Sequence, residues 1–223
     1  MNPSITIIEK HSTALRWLHW INFPLVILMI WSGILIYWAN RAYIPVSDEL
    51  AEKLQIDGRL AEGMGWHFML MWFFTINGLS YIIYLIISRE WRFIVPTRHT
   101  LKQALQVILH DLKLSKAKPA IDGKFNGAQK IAYSLIILNG FLATLTGFAI
   151  YKPVQLGFLA EALGGYQAAR LEHFIIMCIF IIFFIAHLIQ VIKAGWNNFR
   201  SMVTGYEIVP DPITKNITPT ELK

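Results

Sequence analysis

Residues 169–196 read ARLEHFIIMCIFIIFFIAHLIQVIKAGW. This stretch can cross a lipid bilayer as one α-helix, because about 20 mostly apolar residues are enough to do so. Its apolar interior contains two histidines, His173 and His187. At about 100° and 1.5 Å per residue, both rings leave nearly the same face of the helix, about 21 Å apart along its axis. Because ionisable residues inside membrane spans commonly mark functional sites, the stretch predicts two sites stacked across the membrane.

The composition is that of an integral membrane protein. Hydrophobic residues make up 55% of the 223-residue chain, and its mean hydropathy is +0.47. Several long apolar runs predict an all-α fold, a four-helix membrane bundle in a single domain, 1–223. The polar C-terminal tail, about 203–223, is rich in Pro and Thr and is expected to be mobile. The predicted spans are about 17–38, 64–88, 128–151 and 169–195.

The charged residues predict the orientation of the spans. Most of the 20 Lys and Arg residues lie in the N-terminal lead, in the loop after the second span and in the tail, all on one side. Cytoplasmic loops carry the excess of Lys and Arg, so we expect both termini in the cytoplasm. Membrane topology thereby accounts for the net charge of +6, and we expect no nucleic-acid partner.

Four histidines lie within the predicted spans, and the orientation assigns each to one side of the membrane. His19, near the start of the first span, and His187 lie toward the cytoplasmic side. His67, near the start of the second span, and His173 lie toward the outer side. Depth therefore pairs His19 with His187 and His67 with His173. The other histidines lie in polar segments, where we expect solvated side chains: His11, His99 and His110.

Two facing histidines at one depth are the ligand set of a haem iron. Zinc usually requires four ligands from Cys, His, Asp or Glu, and Glu172 is the one acid that could lie beside a pair. A haem iron requires only two axial ligands, because the porphyrin supplies the other four. No CxxCH motif for covalent attachment is present. We therefore predict two haem b groups, with histidines that only form packing hydrogen bonds as the alternative.

The basic loop between the second and third spans contains a further helical pattern. Leu101, Leu105, Ile108, Leu109 and Leu112 recur at helical spacing. The pattern predicts an amphipathic helix, which either lies on the membrane surface or packs under the bundle.

Short motifs surround the histidines of the spans. The sequence RWLHW at 16–20 contains His19, and WH at 66–67 contains His67. With these motifs and the pair in the fourth span, the chain resembles the di-haem cytochrome b subunits of membrane-bound respiratory oxidoreductases. That family includes the formate dehydrogenase gamma subunit, the nickel–iron hydrogenase cytochrome b and the thiosulfate reductase cytochrome b. The resemblance covers all four spans.

The likeness to the gamma subunit of formate dehydrogenase extends beyond the histidines. The sequence KFNGAQK at 124–130 is similar to the segment that enters its third helix. Thr146-Gly147 and Lys152-Pro153 are similar as well. One departure concerns the wall of the pocket, because Gly127-Ala128 stands where the gamma subunit has Ala and then Gly.

The resemblance implies a quinone site formed by Asn126, Gln129 and His187. The two amides are three residues apart, so they share one face if the segment is helical. An amide can hydrogen-bond a quinone carbonyl or a quinol hydroxyl. The alternative is that both amides are capping groups at the start of a helix.

The function that the resemblance implies is that of a membrane-anchor subunit in the bacterial cytoplasmic (inner) membrane. Electrons would pass between a periplasmic partner and the quinone pool through the two haem sites. The partner would comprise an iron–sulfur subunit and a catalytic subunit of molybdenum or nickel type, docked on the outer loops 39–63 and 152–168. The substrate chemistry would take place in that partner, and quinone reaction in this subunit.

Two other functions are compatible with the same sequence. A stand-alone cytochrome b could oxidise quinol and reduce a small oxidant such as superoxide. A haem-free membrane transporter or assembly protein could use the histidines to line a pathway. The presence of haem separates the second alternative from the others, and co-purifying subunits separate the first from a membrane anchor.

Overall fold

The computed structural model describes residues 5–39, 43–44, 47–111, 113–116 and 124–210. Its contacts divide the chain into two compact units, each described here by itself. The first unit combines Met1–Ile21 with Phe184–Lys223, and the second is Asn22–Phe183. The single domain 1–223 stays a prediction.

Helices make up most of the described chain. Four of them are long and apolar enough to cross a membrane, which confirms the predicted all-α class with helices suited to a membrane bundle. The four are α1, α3, α6 and α8 in the following order of elements: β1 (Ile5–Glu9), α1 (Thr13–Trp38), α2 (Asp48–Lys53), α3 (Leu60–Ser88), α4 (Trp91–Ile94), α5 (Thr100–Asp111), α6 (Gly127–Tyr151), α7 (Gly157–Ala162), α8 (Tyr166–Thr204) and β2 (Tyr206–Pro210).

Large apolar side chains cover the outer surface of the long helices. Ile76 and Leu79 of α3 are 60% and 59% exposed, and Ile182 of α8 is 67% exposed. Such surfaces are rare on water-soluble monomers and are the expected surface of a helix that faces lipid tails.

The helix α8 is interrupted at Gly195. This residue has φ 80° and ψ 175°, a backbone conformation that is open almost only to glycine. The apolar part of α8 therefore ends at the position where the sequence analysis ends the fourth span, and a separate helical segment continues to Thr204.

In the second unit, small residues and amides bring the spans together. Gly63 of α3 contacts α1 so closely that a Cβ atom there would lie 2.7 Å from the Cβ of Leu35. The buried Asn139 of α6 donates from Nδ2 to the carbonyl oxygen of Ile176 in α8, at 3.2 Å. A small cluster joins α6, α7 and α8 through Ala149, Ala160 and Ala169.

The amphipathic helix predicted in the basic loop is α5. Its buried residues include Thr100 and Ala104. They lie against Gly127, where a Cβ atom would come within 2.7 Å of the Ala104 nitrogen. Leu101 and Leu105 are 72% and 57% exposed. One face of α5 thus packs on α6 while an apolar face stays exposed, and Leu112 lies outside the described residues.

The first unit contains a two-stranded sheet that the sequence analysis did not predict. β1 pairs antiparallel with β2, from Ile5 opposite Pro210 to Glu9 opposite Tyr206. The Nζ atom of Lys10 lies 2.8 Å from a carboxylate oxygen of Glu207. The early part of the tail predicted to be mobile therefore has regular structure up to residue 210, and 211–223 lie outside the described residues.

Candidate haem sites

The second unit brings His67 of α3 next to His173 of α8. The centroids of their rings are 6.2 Å apart, and the ring planes meet at 79°. The two residues lie on different helices, and the sequence analysis paired them by depth alone.

A hydroxyl group on a neighbouring helix contacts each of these two rings. The Oγ of Ser32, in α1, lies 3.0 Å from Nδ1 of His67. The Oγ1 of Thr146, in α6, lies 2.8 Å from Nδ1 of His173. The two hydroxyls could not be recognised from the sequence, since a single Ser or Thr in an apolar span belongs to no repeating pattern.

A glycine follows each hydroxyl residue in the chain. A Cβ atom at Gly33 would lie 3.5 Å from Cε1 of His67, and one at Gly147 would lie 3.3 Å from Cε1 of His173. In the structure the space beside these two is taken by the edges of the histidine rings.

The first unit brings His19 of α1 next to His187 of α8. Their ring centroids are 6.1 Å apart, and the ring planes meet at 57°. The ring of His19 also lies edge-on to Trp20, with centroids 5.2 Å apart. Nδ1 of His19 is buried and has no hydrogen-bond partner among the described residues.

The spacing of both pairs fits one metal ion held between two imidazoles. A metal–nitrogen bond is about 2.0 Å long and the ring centroid lies about 1.1 Å beyond the nitrogen, so two opposed ligands have centroids about 6 Å apart. The observed spacings are 6.2 Å and 6.1 Å. Within the described ranges no group of three or more His, Cys, Asp or Glu residues could hold a metal ion, so two-ligand haem fits these residues better than zinc.

Asn126 and Gln129, assigned to the quinone site, form a capping box at the start of α6. The side-chain oxygen of Asn126 accepts from the Gln129 backbone N–H at 2.9 Å, and that of Gln129 accepts from the Asn126 backbone N–H at 3.0 Å. Both oxygens therefore have the capping role that the sequence analysis held as the alternative. His187 lies in the other unit, beside His19, and the quinone site stays a prediction.

Nζ of Lys124 lies 2.7 Å from a carboxylate oxygen of Glu90, which gives that lysine a protein partner. His99 is exposed as expected, whereas His11 and His110 are partly buried.

Four apolar membrane helices with histidines paired between them define the class of membrane cytochromes b. Residues 10–205 match the family model described as prokaryotic cytochrome b561, and the chain belongs to that family. It is also 33% identical over 182 residues to a protein of Azospira oryzae that carries the provisional name protein-methionine-sulfoxide reductase subunit YedZ1. That alignment covers 81% of this chain and 89% of the relative.

The family match confirms the resemblance to membrane cytochromes b. The protein is a cytochrome b561-type haem protein, and such proteins transfer electrons. It is a multi-pass protein of the bacterial inner membrane.

Proposed function

We propose that this chain is a di-haem cytochrome b that carries electrons across the membrane between quinone and a partner oxidoreductase. His67 and His173 would hold the outer haem b, and His19 and His187 the inner one. The observation that carries the proposal is the repeated ring spacing, 6.2 Å in one pair and 6.1 Å in the other. A haem iron with two imidazole ligands exchanges single electrons, and its potential depends on its ligands and surroundings.

The helices would hold each of the two sites at its own depth in the membrane. Each histidine sits on a span, so the backbone of a hydrogen-bonded helix fixes its depth. The excess of Lys and Arg on the side of both termini supports the cytoplasmic orientation of those termini. With that orientation the His19–His187 pair is the inner one, on the side where Asn126 and Gln129 are proposed to meet the quinone.

The partner would be a catalytic subunit on the periplasmic side. The resemblance to respiratory subunits suggests an iron–sulfur subunit with a molybdenum- or nickel-type catalytic subunit. The name of the Azospira relative describes a subunit of a protein-methionine-sulfoxide reductase, and it favours a partner that reduces oxidised methionine side chains. The proposed docking surface is the outer loops 39–63 and 152–168.

The test is a reduced-minus-oxidised absorbance spectrum of the purified protein, with haem counted per chain, before and after addition of quinol. We expect two low-spin b haems per chain and reduction of both by quinol. Affinity purification from the native membrane should recover a catalytic subunit. A colourless protein from cells that supply haem would overturn the proposal in favour of a transporter or assembly protein. Haem with no co-purifying subunit, and reduction of superoxide, would support the stand-alone cytochrome instead.

Substitutions at Asn126 should separate capping from quinone contact. Serine is as good an N-cap as asparagine, whereas alanine costs about 1 kcal/mol of helix stability. Asn126→Ser should therefore keep the unfolding temperature and both haems but slow haem reduction by quinol, because it lacks the amide. The measurement is stopped-flow reduction by quinol alongside thermal unfolding in detergent.

Asn126→Ala is the matched comparison for this prediction. It should slow quinol reduction as Asn126→Ser does and, in addition, lower the unfolding temperature. A serine variant with wild-type reduction kinetics would restrict Asn126 to its capping role and remove it from the quinone site.

A further inference from the structure

The two hydroxyl groups beside the outer histidine pair have the same local arrangement. Ser32 in α1 contacts His67, and Thr146 in α6 contacts His173, each at Nδ1 of the ring. We propose that Ser32 and Thr146 are positioning residues that hold the proton of each imidazole on Nδ1 and present Nε2 of both rings to one haem iron. This inference rests on the proposed function, because it assumes that this pair holds a haem.

The hydrogen bonds of the hydroxyls give the direction of each contact. The Oγ of Ser32 lies 2.8 Å from the carbonyl oxygen of Leu28, and the Oγ1 of Thr146 lies 2.8 Å from that of Leu142. A carbonyl oxygen can only accept, and a hydroxyl has one hydrogen to donate. Because each hydroxyl donates its hydrogen to the carbonyl oxygen, the hydroxyl oxygen accepts a hydrogen bond from Nδ1–H of the ring. The lone pair of Nε2 then remains available to a metal.

The burial of the hydroxyls makes this arrangement costly to change. Ser32 is 0% exposed and Thr146 is 1% exposed. A polar group buried in this way requires its hydrogen-bond partners, since a missing partner costs about 1–3 kcal/mol. The ring, the hydroxyl and the helix carbonyl therefore form one chain of hydrogen bonds that favours the tautomer with its proton on Nδ1, and at His67 the backbone of Met29 also hydrogen-bonds the ring.

The glycine that follows each hydroxyl residue lies against the edge of the histidine ring and restricts its rotation. Cε1 lies between Nδ1 and Nε2 in an imidazole ring, and it is the ring atom nearest to the Cβ position of Gly33 in His67 and of Gly147 in His173. The hydrogen bond at Nδ1 and the close helix surface at Cε1 together fix the rotation of the ring. The two hydroxyl–glycine dipeptides, Ser32-Gly33 and Thr146-Gly147, hold opposite ligands of the same site in the same way.

The expected consequence is a shift in the redox potential of the outer haem. A hydrogen bond from the distal ring nitrogen raises the basicity of a metal-bound histidine. A more basic ligand stabilises the oxidised iron and lowers its potential. His19 of the inner pair differs, because its Nδ1 is buried without a hydrogen-bond partner in the part of the chain that the structure describes.

The test compares Thr146→Val, which removes the hydroxyl at nearly constant shape, with Thr146→Ser, which keeps it. The readouts are haem per chain, the midpoint potential of each haem in a spectroelectrochemical titration, and the electron paramagnetic resonance spectrum of the oxidised protein. Thr146→Val should move the potential of one haem to a more positive value and alter its resonance signal, and Thr146→Ser should restore both. Ser32→Ala should act on the same haem, and the double variant should shift it further than either single one.

Thr144→Val is the control within α6. The Oγ1 of Thr144 also lies near a helix carbonyl, 3.0 Å from the carbonyl oxygen of Gly140. Among the residues that the structure describes, it contacts no histidine ring. It should leave both potentials unchanged. The same shift in Thr144→Val would overturn the inference, because the effect would then belong to the loss of any hydroxyl from the helix.

The haem content of the Thr146 variants also tests the positioning role of the hydroxyl. Loss of one haem in Thr146→Val, with recovery in Thr146→Ser, supports a positioning role for the hydroxyl. Unchanged potentials with two bound haems overturn that role and leave the proposed function standing. Loss of haem in both Thr146→Val and Thr146→Ser also overturns the positioning role, since haem retention would then depend on the packing of the side chain and not on its hydroxyl. A wild-type protein without haem overturns the proposed function and this inference with it.

Discussion

Replacing His67 or His173 by alanine should lower the haem content from two per chain to one, and replacing His19 or His187 should remove the other haem. A haem held without covalent bonds depends on its two axial imidazoles. If each pair holds one haem, removal of either ring would leave that haem with a single protein ligand in a largely apolar site. The expected result is therefore loss of a whole haem, measured as haem per chain with the spectrum of the haem that remains.

Double variants make the pairing itself testable. If His67 and His173 share one haem, the double alanine variant should lose no more haem than either single variant, because residues that act as a unit are not additive. If His67 and His19 belong to different sites, their double variant should lose both haems. The opposite pattern would show that depth and ring spacing pair the wrong histidines.

His99→Ala is the control for these variants. His99 is an exposed histidine outside the spans, so its removal should leave two haems per chain. A loss of haem in this variant would indicate that alanine substitutions lower haem content through expression or insertion, and the four span variants would then say nothing specific about ligation.

Gly63→Ala should destabilise the protein by about 1–3 kcal/mol, the usual cost of forcing an extra methyl group into a packed contact. A Cβ atom at this position would lie 2.7 Å from Cβ of Leu35 and 3.1 Å from both the Ile36 nitrogen and the Ser32 carbonyl oxygen. Two of these three atoms belong to the α1 backbone, so the contact cannot be relieved by a side-chain rotation. The helices α1 and α3 would have to separate.

Gly65→Ala is the matched control, two residues further along the same helix. Nothing lies within 4 Å of a Cβ atom built at Gly65, and alanine is favoured over glycine in a helix by about 1 kcal/mol. Thermal unfolding in detergent should therefore show a lower midpoint for Gly63→Ala and an unchanged or higher one for Gly65→Ala. Equal midpoints for the two variants would mean that the close approach at Gly63 does not contribute to stability.

A shift of α1 should also reach the pair formed by His67 and His173. The residue whose carbonyl lies against Gly63 is Ser32, and the Ser32 hydroxyl contacts His67. We expect Gly63→Ala to weaken retention of one haem during purification, whereas Gly65→Ala should retain both.

The features that could be predicted from the sequence are those that follow from the geometry of a single helix. The length of each apolar run decides that a segment can span a membrane, and the rise per residue sets the depth of each histidine. Those two rules led from His19, His67, His173 and His187 to two pairs, and the structure places the rings of each pair about 6 Å apart. The depth of a histidine in the membrane follows from its position along its own helix and does not depend on how the helices pack.

Contacts between distant segments could not be predicted in this way. Ser32 and His67 are separated by 35 positions, and Thr146 and His173 by 27. Whether a given hydroxyl faces a ring depends on the rotation of each helix about its axis. The apolar pattern leaves this rotation open, because these spans are apolar on nearly every side. The capping box of Asn126 and Gln129 joins residues only three positions apart. The sequence could therefore indicate it as the alternative to a quinone site.

The sequence by itself determined the membrane class, the four spans and the depth of the candidate haem ligands, because these depend on composition and on the fixed rise of a helix. Only the tertiary structure decided which groups contact the histidine rings and that Ile5–Glu9 pairs with Tyr206–Pro210. The β1–β2 sheet pairs Ile5 with Pro210, and these residues are about 200 positions apart in the chain. Pairing over such distances is set by the free energy of the whole fold, and no local pattern encodes it.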